Sequence, residues 1–131
     1  MSITVCWDDD DAHTIIRWDF AEKWSWDDFH EAFRISMEMG QHSLHRIDVL
    51  ANATKSPHMP LGALAEFRRL DEQLPPVVKL IVVAGSSPFT RSMIELFGKI
   101  YRAQSWRTAK SVDEAHLIIA HDCQREQDLT A

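Results

Sequence analysis

Apolar and polar positions along this chain fall into two alternating rhythms. Residues 3–7 (Ile-Thr-Val-Cys-Trp) and 14–20 (Thr-Ile-Ile-Arg-Trp-Asp-Phe) are short runs rich in β-branched and aromatic side chains, separated by a polar stretch containing Asp8, Asp9, Asp10 and Asp11. They predict an opening hairpin with a long turn, and within it Cys6 reads as a small core residue. From Ser25 the period changes. Trp26, Phe29, Phe33 and Met37 recur at three- and four-residue steps, which predicts an amphipathic helix. Ser25 and Asp28 have capping-box spacing at its start, and Gly40 is a natural stop. A short apolar run at 47–50 predicts a third strand, and residues 52–60 predict a proline-marked polar loop. Leu61, Leu64, Phe67 and Leu70 then mark a second helix, closed by Pro75-Pro76.

Residues 77–84 (Val-Val-Lys-Leu-Ile-Val-Val-Ala) are almost continuously apolar, as a central strand covered on both faces must be. Gly85-Ser86-Ser87-Pro88 turns the chain into a third helix, with Ser87 as N-cap and Pro88 as first helical residue. Phe89, Met93, Leu96, Phe97 and Ile100 predict that helix's buried face. Residues 105–109 predict a fifth strand, and Ser111 with Glu114 a second capping box opening a last helix. Residues 122–131 read as a polar, frayed tail after a domain spanning 1–121. The order β-β-α-β-α-β-α-β-α predicts an α/β domain: a mostly parallel five-stranded sheet with an antiparallel edge strand, packed by four helices.

Composition narrows the function classes. The chain has 131 residues, 45% hydrophobic and 26% charged, the balance of one globular domain. With 14 basic and 20 acidic residues its net charge is -6, and Arg68-Arg69 is the only adjacent basic pair, so nucleic-acid binding is disfavoured. No apolar run approaches a membrane span and no secretory signal is visible at the start, which predicts a cytoplasmic protein without a transmembrane segment. Two distant cysteines, Cys6 and Cys123, fit no disulfide framework or zinc pattern. The 7 histidines include the pairs His42/His45 and His116/His121 but no H-E-x-x-H, and the aspartate run lacks the spaced ligands of a calcium loop. Neither a metal nor a cofactor is therefore expected. No nucleophile elbow or paired carboxylate is present; Asp48 and His58 are the titratable residues that an enzyme reading would use.

Two strings, residues 82–91 (Val-Val-Ala-Gly-Ser-Ser-Pro-Phe-Thr-Arg) leading into 96–101, and residues 107–115 (Arg-Thr-Ala-Lys-Ser-Val-Asp-Glu-Ala), resemble the C-terminal half of SpoIIAA-like domains of the STAS superfamily, which is related to CRAL-TRIO-like folds. The resemblance implies a compact α/β module that binds rather than transforms. In the anti-sigma-factor antagonists of this superfamily, a serine after the third strand is phosphorylated within an Asp-Ser-Ser-Gly-like string. Here that loop reads Asn-Ala-Thr-Lys-Ser-Pro at 52–57, so Thr54 and Ser56 match by position only.

In a parallel sheet the loops after the third and fourth strands open on one edge, where ligands of such folds gather. Asn52, Thr54, Lys55, Ser56 and His58 are thus expected to face Gly85, Ser86, Ser87, Thr90 and Arg91. A helix start offers unpaired N–H groups and partial positive charge, and Lys55 and Arg91 add cations. This predicts a site for a small anionic ligand or a protein partner's acidic group, against the simpler reading of helix capping and two unrelated loops. A homodimer formed through an edge strand or helical face is compatible with this reading, and two alternatives stay open: a carrier of a small lipid or acidic ligand, with a cavity under the third helix lined by Phe89, Met93 and Phe97; and a small enzyme.

Overall fold

The computed structural model describes residues 2–9 and 11–130. Asp10, in the predicted acidic turn, and the terminal residues Met1 and Ala131 lie outside them. The elements follow the predicted order: β1 (Ile3–Trp7), β2 (Ile15–Phe20), α1 (Trp26–Met39), β3 (Ile47–Asn52), α2 (Ala63–Gln73), β4 (Val78–Ala84), α3 (Pro88–Tyr101), β5 (Trp106–Ala109) and α4 (Val112–Thr130). The sheet runs β1-β2-β3-β4-β5, antiparallel between β1 and β2 and parallel thereafter.

Helix starts are local chemistry. The Ser25 hydroxyl accepts from the Asp28 N–H while the Asp28 carboxylate accepts from the Ser25 N–H, closing the box. At α4 the Ser111 hydroxyl accepts from the Glu114 N–H, but the Glu114 carboxylate takes the N–H of Lys110, one residue before the box position.

Strand order equal to chain order puts three crossover helices on one face. Phe29 of α1, Phe67 and Leu70 of α2 and Ile94 and Phe97 of α3 pack there against Ile16, Trp18, Val49, Ile81 and Val83. The opposite face is covered by α4, whose Ala115 and Ile119 pack on Leu50, Leu80, Val82 and Ala84. This accounts for the near-continuous burial of β3 and β4.

Four details correct the sequence reading. Residues 122–130 continue α4 rather than forming a frayed tail, because Asp122 and Glu126 pair with Arg46 at 2.8 and 2.9 Å. Cys6 is exposed, since its side of β1 lies beyond the reach of α4. Leu61 precedes α2 and is 96% exposed. On α3 the buried arc is Thr90, Ile94 and Phe97; Phe89, Leu96 and Ile100 lie on the solvent side at 68%, 44% and 55% exposure.

Candidate functional site

Parallel pairing of β3 with β4 and β4 with β5 sends three chain bends to one edge of the sheet. The Ala53 N–H donates to the Ala84 carbonyl at 2.8 Å and the Gly85 N–H to the Ala109 carbonyl at 3.0 Å, so the pairing persists into the bends themselves. Gly85 has φ +71°, which costs glycine little and other residues much. A Cβ there would run into the Thr54 hydroxyl and stand 3.1 Å from the Thr54 Cα. The two predicted bends therefore touch, backbone against Thr54.

Their side chains divide into two groups. Several are consumed by the protein's own structure. The Ser87 hydroxyl accepts from the Thr90 N–H at 3.2 Å and donates to the Thr90 hydroxyl at 3.1 Å, which is capping. Ser56 is buried, accepting from the Trp24 indole N–H at 2.8 Å and donating to the His58 carbonyl at 3.2 Å. Asn52 donates to Asp19 at 2.8 Å, while its oxygen accepts from the N–H and hydroxyl of Thr54 at 3.2 and 2.6 Å. Ser86 is 6% exposed and its hydroxyl has no partner among the described residues; sealed in the bend, it faces no open cleft. The remainder is not consumed in this way, and His58, with Ser56 and Thr90, borders the apolar cavity between the sheet and the helices. Lys55 and His58 are exposed and Arg91 half-buried, and none has an ion-pair partner among the described residues.

Sequence reasoning missed Asp19. It anchors Asn52 and is itself held by Arg17 at 3.1 Å, and Arg17 reaches on to Asp8 at 3.3 Å. Partial burial works against the Arg17 charge, but Asp19 and Asp8 outweigh it and keep the guanidinium firmly protonated. The available signal was the polar pair Arg17 and Asp19, two apart and so on one face of β2. In the acidic run, partial burial pushes the Asp9 carboxyl up, but the bonds it accepts from the Thr14 hydroxyl and from the Ile15 and Thr14 N–H groups outweigh this and hold it below the usual range. Within the run, Asp9 thus shapes the turn and Asp8 pairs with Arg17 and His116. Among the described residues, no three His, Cys, Asp or Glu side chains gather as a metal-binding group.

The residues named for an enzyme do not meet. Asp48 lies at the opposite end of β3, beneath α4. It is 1% exposed and bound by the Arg46 guanidinium at 3.0 Å and the Leu80 N–H at 3.1 Å. Burial pushes its carboxyl above the usual aspartate value despite Arg46. His58 stands at the bends, remote from it along the sheet.

An apolar cavity of about 60 Å³ lies between the sheet and the helices. Its walls include Trp18, Trp24, Phe29, Phe67, Val83 and Ile94. Phe89, Met93 and Phe97, the predicted lining, do not border it; from α3 only Thr90 and Ile94 do, while Phe97 is buried elsewhere in the core, against Phe67 and Trp106.

Compared with known proteins, the chain matches no family model, no curated protein and no solved structure. The class that the fold defines is an α/β domain with a mixed five-stranded sheet.

Proposed function

We propose that this protein is a non-enzymatic binding module of the SpoIIAA-like kind its sequence resembles, taking an anionic group, carried by a small ligand or by a partner, at the bends after β3 and β4. One observation carries the reading. Two bends 31 residues apart, from Thr54 to Gly85, are in backbone-to-side-chain contact, and each bears a cation without an ion-pair partner among the described residues, Lys55 and Arg91. Unpaired bases beside the start of a helix favour an anion through both charge and dipole. The consumed hydroxyls of Ser56, Ser87 and Thr90 assign recognition to the two bases, His58 and the backbone. Thermal denaturation with inorganic phosphate at low ionic strength tests this. Phosphate raises Tm; Lys55→Ala and Arg91→Ala each reduce the rise and together abolish it. A rise unchanged in the double variant would refute the placement.

The apolar cavity favours a second reading, a carrier. At about 60 Å³ it is well below the roughly 150 Å³ cavity that admits benzene. As built, it suits only a ligand of very few carbon atoms, unless the wall moves. Native mass spectrometry of the purified protein decides: a small bound mass supports a carrier, and the bare polypeptide mass contradicts one.

A further inference from the structure

The touching bends have a property that capture of a free anion does not need. Residues 53–62 and 85–94 contain no Asp or Glu. At the chain's average of 20 acids in 131 residues, twenty positions would hold about three. They carry Lys55, His58 and Arg91 instead, and Asp19, which hydrogen bonds connect to them, is paired with Arg17. Each bend also holds a large apolar side chain out in solvent: Leu61 at 96% exposure and Phe89 at 68%. Neither lines any cavity or groove described for this chain. The edge therefore carries apolar tips beside unpaired bases, on a molecule of net charge -6, while Ser56, His58, Met59 and Thr90 of the same bends border the apolar cavity.

A small phosphate or carboxylate would be met by the bases alone, and an acidic protein segment would need a groove for its own side chains, for which the cavity beside the bends, at about 60 Å³, is too small. Projecting apolar tips beside bases fit a surface that is soft, apolar below and anionic above. Acids stand at the starts of α1 and α4, Asp27, Asp28, Asp113 and Glu114, whereas the acid in the first turn of α2, Glu66, is paired with His30 and Arg69.

We infer that the anionic group taken at the bends after β3 and β4 is displayed on a lipid surface, with Leu61 and Phe89 entering the headgroup layer while Lys55 and Arg91 pair with anionic headgroups. This rests on the reading of the bends as an anion site.

The experiment is flotation of the full chain with phosphatidylcholine vesicles, with and without anionic phosphatidylglycerol, at low and physiological salt. Soluble glycerol phosphate and a polyglutamate peptide are tested as competitors. Binding is expected only with the anionic lipid and to weaken with salt. Lys55→Ala and Arg91→Ala each weaken it by roughly five-fold. Leu61→Ser and Phe89→Ser also weaken it while leaving the phosphate-induced rise in Tm intact. Leu61→Ala and Phe89→Ala serve where a serine variant loses its native circular dichroism.

Stabilisation by phosphate at the bends without flotation would overturn the lipid inference and leave the anion site standing. The same holds if polyglutamate binds with dependence on Arg91 while vesicles do not, since the partner is then a protein. Flotation unaltered by the Leu61 and Phe89 variants would overturn the inference as well. Failure of both phosphate and vesicles to bind removes the site itself.

Discussion

Gly85 shows how much one position decides. Its φ of +71° and the 3.1 Å from a would-be Cβ to the Thr54 Cα leave no room for a side chain. Gly85→Ala should cost about 2 kcal/mol, combining the left-handed penalty with the displacement of Thr54. Urea denaturation measures this, and a neutral result would mean that the bends do not touch. The glycine's place in a turn was legible from a strand ending in Gly before Ser-Ser-Pro, but its close approach to Thr54, 31 residues away, was not. The fates of Ser56 and Ser86 were not. Ser56 is drawn inward by the Trp24 indole, 32 residues away, and nothing local to either serine signals its burial. The same blindness affected Leu61 and Phe89, whose exposure depends on which neighbours the fold supplies.

At the scale of elements, capping chemistry and strand composition placed each helix start and strand to within a residue or two. What failed was the choice of face. On α3 the predicted face, Phe89, Met93, Leu96, Phe97 and Ile100, meets the sheet side through Phe97 while Thr90 and Ile94 complete the buried arc, because periodicity cannot separate two adjacent, largely apolar arcs. The C-terminal half of α4 failed for the converse reason: its polar residues are ordered by a distant partner. Arg46 bridges Asp48, Asp122 and Glu126, fastening α4 over the start of β3.

Arg46→Met should cost about 3–5 kcal/mol, because it strands the buried Asp48 charge. The pH dependence follows from Asp48. Burial raises its folded pKa above the unfolded value, so the folded state binds its proton more readily, and stability falls as pH rises through that window. Without Arg46 the upward push is larger. The variant's deficit should therefore shrink on acidification from about pH 7 to about pH 5. Asp122 acts in the opposite sense: Arg46 and Arg125 outweigh its partial burial and hold its carboxyl low, so its contribution is lost as pH falls below the usual carboxylate range. Chemical denaturation of both proteins at the two pH values provides the check, and a deficit that grows on acidification would contradict the clamp.

For the whole molecule, the useful fact is that chain order equals strand order. Successive bends then lie side by side on one sheet edge, and the acid-free bends after β3 and β4 become neighbours within an acidic protein. No helix among the described residues is long and apolar enough to cross a membrane, so contact with lipid would be peripheral. The central claim is that those two bends form one anion-binding edge. Amide chemical shifts during titration with inorganic phosphate test it most directly. The account predicts saturable shifts concentrated in residues 53–58 and 85–91, absent from the Lys55→Ala/Arg91→Ala protein; shifts centred instead on Arg68, Arg69 and Lys99, or no saturable shifts at all, would contradict it.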